Sequence, residues 1–164
     1  MRITRAQGVF FSIVMSTFQP YKKGTVLAPS GPCNHLHVIC NDPVYYPVND
    51  CYCILVVNVS SIKPGVPHDD ACVLNPGDHR FIQHPSYIVY AEAVIWRVDN
   101  VARKHAAGEI TAHDDMPEAA FERVLSGFDI SEQAKPKHIR FKEKYCTNTS
   151  LIDQPEPTDG LTGT

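Results

Sequence analysis

The chain has 164 residues, with 15 Lys and Arg against 18 Asp and Glu and a formal net charge of −3. That length suits one domain with a proper core, and 43% hydrophobic against 20% charged residues excludes a wholly disordered chain. The acidic balance supplies no global pull toward nucleic acid, so any such contact needs a local basic patch.

Thirteen prolines against nine glycines point to many turns and few long helices. At the start, Val9–Met15 (VFFSIVM) follows Arg2 and Arg5. The run is at the short limit for a signal-peptide core, no small-residue cleavage site follows it cleanly, and it is far too short to span a bilayer. Met15-Ser16-Thr17 reads as a natural start. Residues 1–20 are therefore expected to form an N-terminal extension, and 21–145 a single domain.

Gly24–Pro29 predicts a short strand ended by Ser30-Gly31-Pro32. In Asn34–Cys40 (NHLHVIC), alternation sends Leu36, Val38 and Cys40 to one face and His35, His37 and Ile39 to the other. Residues 41–50 read as a loop rich in Asp, Pro and Asn. Tyr52–Val59 (YCILVVNV) is the strongest strand pattern, continuous and β-branched, and is expected to be central. Pro64–Asp70 reads as a loop, Ala71–Leu74 as a short strand and Ser86–Val98 as a long strand or strand pair. Asp99–Ala107 predicts one or two helical turns capped by Asp99 and stopped by Gly108. Glu109–Thr111 predicts a last short strand, and Asp115–Ser126 a helix capped by Asp115 and ended by Gly127. A further helix is expected within Ser131–Tyr145, interrupted or begun at Pro136, with a disordered tail over 146–164. The pattern predicts a mainly β fold with peripheral helices: a small antiparallel, partly closed barrel plus one to three short α-helices.

Cys33, Cys40, Cys51, Cys53, Cys72 and Cys146 include no C-x-x-C spacing. Without a convincing secretory signal they read as reduced thiols of a cytoplasmic protein.

The densest chemistry lies in Asn75–Tyr90 (NPGDHRFIQHPSYIVY), which holds Asp78, His79, Arg80, His84, Ser86 and Tyr87. Packing alone does not require two histidines, an arginine and an aspartate within seven residues. RNA can be cut by its own 2′-hydroxyl, given a base, an acid and a positive charge for the phosphoryl group. Histidine serves as base or acid near neutrality. His35, His79 and His84 are the candidates for proton transfer, with Ser60 as a hydroxyl donor. Lys63 and Arg80 are the expected phosphate clamps, and Ser86 and Tyr87 the further phosphate or RNA contacts. Lys135–Lys144 (KPKHIRFKEK) is a local basic patch, in which Lys137 and Arg140 are placed to track phosphates or dock an acidic partner. Two metal sets, Cys33/His35/His37 and His68/Asp69/Asp70, lack standard ligand spacing, so no metal or other cofactor is expected.

Taken together, Gly24–Leu125 resembles the PemK/MazF-like growth inhibitors, the toxin halves of toxin–antitoxin pairs. The residues that carry the likeness are Gly24-Thr25-Val26-Leu27, Asn34–Ile39, Val57–Ser61, Ser86-Tyr87-Ile88, Gly108-Glu109-Ile110 and the helix at Met116–Leu125. The resemblance implies an SH3-like barrel, usually dimeric, that cuts RNA without metal and pairs with an antitoxin protein. It implies a strand-end hydroxyl, here Ser60 or Ser61, and an Arg-Pro pair where this chain has Asn34-His35. Either His35 and the 78–84 stretch have taken over the arginine's part, or the barrel persists as a non-catalytic module for a protein or nucleic-acid partner.

Overall fold

A computed structural model describes residues 17–146. The elements run β1 (Thr25–Ser30), β2 (Cys33–Ile39), β3 (Val44–Tyr46), β4 (Cys51–Ser61), β5 (Val73–Leu74), β6 (Ser86–Ile88), a 3₁₀ turn (Tyr90–Glu92), β7 (Val94–Arg97), α1 (Val98–Ala106), β8 (Thr111–His113), α2 (Glu118–Ile130) and α3 (Pro136–Tyr145). The fold is mainly β: among the described residues, an antiparallel eight-stranded sheet with three peripheral helices. Its hydrogen-bonded path, β5-β6-β4-β2-β1-β8, stays open, with β3 and β7 joined to β4 off that path.

Strand β4 is central because its apolar run is buried on both faces. Cys53, Leu55, Val57 and Val59 enter the larger core with Phe121, Val124 and Phe128 of α2 and Phe141 of α3. Ile54 and Val56 enter a smaller core with Val101 of α1. A strand covered on both sides cannot alternate, which accounts for the unbroken sequence pattern. Along its length β4 pairs with β3, β7, β2 and β6 in turn.

Several boundaries differ from the sequence expectation. Residues 44–46 form β3 against the start of β4, where a loop is expected; three residues between Pro43 and Pro47 are too few for a legible period. The 86–98 run is the second of its two expected forms, a pair of strands: the 3₁₀ turn divides it, and β6 and β7 each pair with β4. Arg97, not Asp99, is the N-cap of α1, and Pro117, not Asp115, that of α2. Asp115 instead accepts a hydrogen bond from the Tyr21 hydroxyl.

Gly127 does not end α2, which runs on to Ile130. It is small because Tyr90 lies across it: a Cβ there would sit 1.8 Å from the Tyr90 hydroxyl oxygen. That hydroxyl donates to the Val124 carbonyl at 2.7 Å, and burial pushes the phenol's pKa far up. The domain also takes in residues beyond its expected limits. Phe18 stacks on His105 with centroids 4.4 Å apart, Pro20 is buried, and Cys146 is buried at the end of α3. The rest of the expected extension and tail, residues 1–16 and 147–164, lies outside the described residues. Among the described residues no helix is long and apolar enough to cross a membrane.

Candidate active site

The far end of β4 opens into a cleft of about 780 Å³. Its walls are the β1–β2 turn and the start of β2 (Pro32 to His35), the end of β4 with Lys63, the 80–86 segment and His113 of β8. His35, Ser60, Lys63, Arg80, His84 and Ser86, dispersed over 52 positions of the sequence, therefore share one cavity. The register explains the first pair. His37 is opposite Asn58 in the β2–β4 ladder, so two residues further along the antiparallel run His35 comes level with Ser60.

His35 is half-buried, and its Nδ1 lies 3.2 Å from the Val59 carbonyl oxygen. A carbonyl can only accept, so Nδ1 carries the proton and Nε2 keeps its lone pair. The next histidine on that face, His37, is 7% exposed. Its Nδ1 donates to the His35 carbonyl at 2.8 Å and its ring lies 5.2 Å from that of Trp96. Burial lowers the His37 pKa and outweighs the opposing effect of the His35 carbonyl. His37 is thus a neutral brace for the strand that carries His35.

The stretch from Asn75 divides into structural and free groups. Pro76 and Gly77, the latter at φ +103°, form a turn closed by the Asp78 N–H on the Asn75 carbonyl. The Asp78 carboxylate accepts the Asn75 N–H at 2.7 Å and pairs with Arg123 at 2.9 Å. Burial alone would raise that carboxyl, but these two partners hold its pKa below the ordinary value.

His79 is 3% exposed. Its Nδ1 accepts the Phe81 N–H at 3.0 Å, which leaves Nε2 protonated and donating to the Asp114 carbonyl at 2.7 Å. Both nitrogens are engaged, and His79 does not line the cleft. It is a clamp between the 79–81 turn and the segment after β8, not a proton-transfer group. His84, by contrast, is exposed on the cleft wall; its carbonyl accepts the Ser86 hydroxyl at 2.8 Å, which steadies the segment and, among the described residues, leaves the ring unengaged. Ser86 is buried and its only proton is taken, so it positions His84 rather than binding phosphate.

Arg80 reaches Asp114 at 3.2 Å with its side chain 82% exposed, a rim contact that a competing phosphate can replace. Lys63 is exposed on the cleft wall. Tyr87 is not on that wall: β6 alternates, and its ring packs 5.3 Å from His68. Lys137 and Arg140 also lie elsewhere. They sit on α3, whose Phe141 packs 5.0 Å from Tyr46, and Tyr46 pairs with Cys51 at the opposite end of β4 from Ser60.

No protein-family model and no curated protein matches this chain.

His113 is the cleft residue that sequence reasoning missed. Its Nδ1 accepts the Asp114 N–H at 2.8 Å, so Nε2 bears the proton and is a hydrogen-bond donor. Only the pairing of Thr25 with His113 in the β1–β8 ladder brings it here, and no local pattern announces that. Among the described residues, no group of three or more His, Cys, Asp and Glu side chains is placed to hold a metal ion. Cys33, His35 and His37 do not converge, because His37 is buried against Trp96.

Proposed function

We propose that this chain is an endoribonuclease that cuts RNA through its own 2′-hydroxyl, a growth-inhibiting toxin of the PemK/MazF-like kind. One observation carries the reading: a histidine with a free ring nitrogen, a second unengaged histidine, a hydroxyl and two cations enter one cleft from three separate chain segments. His35 Nε2 takes the proton of the 2′-hydroxyl. The 2′-oxygen attacks phosphorus and the bond to the 5′-oxygen breaks. His84, as imidazolium, protonates that departing oxygen. Arg80 and Lys63 neutralise the phosphoryl charge, while Ser60 and His113 Nε2–H donate to its oxygens.

His113 is a donor and not an acid here, because protonating Nδ1 would set it against the Asp114 N–H. The reading also supplies a cation where the resemblance expects an arginine. Asn34-His35 holds none, but Arg80 lines the same cleft from another segment. In this reading the domain is SH3-like, works in the cytoplasm, and has an antitoxin protein and a second copy as its partners.

The test is to incubate the full chain with single-stranded RNA in chelator. The expected products end in a 2′,3′-cyclic phosphate and a 5′-hydroxyl, and His35→Ala or His84→Ala removes them while the fold survives. Intact RNA with the well-folded wild-type chain would sink the proposal. The rival is a non-catalytic binding module. It is favoured by the basic face of α3, which lies away from the cleft, and it predicts salt-sensitive binding without cleavage.

A further inference from the structure

Cys51 and Cys53, at the opposite end of β4 from the cleft, are two residues apart on one face of the strand. Their sulfurs are 3.6 Å apart, in van der Waals contact. Of the other four cysteines, Cys40, Cys72 and Cys146 are buried and Cys33 is exposed. Cys53 is fully buried and Cys51 half-buried, so a small reagent meets Cys51 first. The Asn49 amide donates to the Cys53 sulfur at 3.7 Å. Arg97, the registered partner of Cys53 across the β4–β7 ladder, places a guanidinium near both sulfurs. A cation near sulfur favours the thiolate, whereas the Asn49 amide acts at Cys53 alone, where burial outweighs it.

We infer that Cys51 and Cys53 are an oxidisable dithiol that a hydroperoxide closes to a disulfide within the strand. The Cys51 thiol gives up its proton and its sulfur attacks the terminal peroxide oxygen; the O–O bond breaks, and the departing alkoxide or hydroxide takes up that proton to leave as alcohol or water, with Cys51 as the sulfenic acid. The Cys53 sulfur then attacks the Cys51 sulfur. The S–O bond breaks, and hydroxide departs as water with the Cys53 proton. Two electrons pass from the thiols to the peroxide. Burial and the bond to Cys51 push the Cys53 thiol up to about 11, in keeping with Cys53 as the proton-bearing second partner.

The bridge is reversible by geometry. Alpha carbons two residues apart on a strand are about 6.6 Å apart, near the top of the ~4.4–6.8 Å range that disulfides span. Closure therefore draws β4 in at Tyr52, and the strained bond is readily reduced. The inference is independent of the nuclease reading, since no cleft residue takes part.

The test is to treat the reduced full chain with hydrogen peroxide, block the remaining thiols with iodoacetamide, and map the digest by mass spectrometry. The expected result is a peptide spanning Cys51 and Cys53 that is lighter by two hydrogens, carries no alkyl group and is restored by dithiothreitol. It forms while Cys40, Cys72 and Cys146 still alkylate only after unfolding. In Cys53→Ala, Cys51 stays as a sulfenic acid that dimedone traps. In Cys51→Ser, Cys53 remains an intact thiol. Circular dichroism checks that both variants fold. Should either variant fail to fold, the wild-type map alone decides. Dimedone capture of wild-type Cys51, or both thiols still alkylated once Cys33 is oxidised, overturns the inference.

Discussion

The two ends of β4 put similar residues to opposite uses. At the Cys51 end, Lys142 pairs with Asp129 and Arg97 with Asp99, and Tyr46 packs edge to face on Phe141 and on Tyr145. At the Ser60 end, among the described residues, His35 keeps one nitrogen open, and His84 and Lys63 face the cleft unpaired. A group that holds a fold together has its hydrogen-bonding capacity filled. A group available for chemistry has some left over. His79 and His84 show this within one turn of chain: the first is buried with both nitrogens engaged, the second is exposed with neither engaged.

The sharpest way to break the comparison is to remove the free histidine. His84→Ala is expected to lower RNA cleavage by about 10²–10⁴-fold, the usual contribution of a general acid or base. As a surface change it should leave stability within roughly 0.5 kcal/mol. Paired single-turnover assays and urea melts check both halves. His79→Ala should do the reverse. It strips the Phe81 N–H and the Asp114 carbonyl of their partner, costing about 1–3 kcal/mol, while cleavage per folded molecule changes far less than in His84→Ala. If the two variants exchange phenotypes, the division drawn here is wrong. Gly127→Ala tests the core both ends share. Forcing a methyl against Tyr90 should cost about 1–3 kcal/mol or more, read as an earlier urea midpoint without any selective loss of cleavage.

Much of the architecture was legible in the sequence, for a physical reason. Buried strands and amphipathic helices write their burial into period and composition, so β1, β2, β4 and α3 fall where the pattern predicts, and α2 does too apart from its two ends. β3 was illegible because three residues carry no period. Gly127 has the look of a helix stop, but its small size answers to Tyr90, 37 positions away in the chain. The site divides in the same way. His35, Ser60, Lys63, Arg80 and His84 were readable as chemistry-bearing types near strand ends. That Ser86 and His79 are structural, that Tyr87 faces His68, and that His113 joins the cleft depend on hydrogen bonds and register, which one chain's sequence does not display.

Acid offers a gentler probe, aimed at histidines kept neutral by burial. His37 and His138 both have lowered pKa values, burial being the largest cause in each, with Lys137 and Lys135 adding to it at His138. The unfolded chain then binds more protons than the folded one just below the ordinary histidine value of 6.5. Stability is full above that value and falls as pH drops through it toward the lower folded values. Thermal midpoints measured from pH 7.5 down to 5 should fall, and His138→Gln should flatten the slope. A slope unchanged in that variant would mean His138 is not held neutral.

The smallest expected effect falls at the basic face of α3. If substrate engages only the cleft, Lys137→Ala with Arg140→Ala leaves cleavage nearly unchanged and stability within about 0.5 kcal/mol. Nine steps along β4 lead from Cys51, level with Tyr46 beneath α3, to Ser60, some 30 Å of extended chain at ~3.3 Å per residue. A short oligonucleotide in the cleft does not reach that far. A long RNA could, so substrate length is the variable to change. Equal rates for the double variant on short and long RNA confine recognition to the Ser60 end. A deficit on long RNA alone, shrinking as salt rises, would join the two ends of β4 into one phosphate-tracking surface.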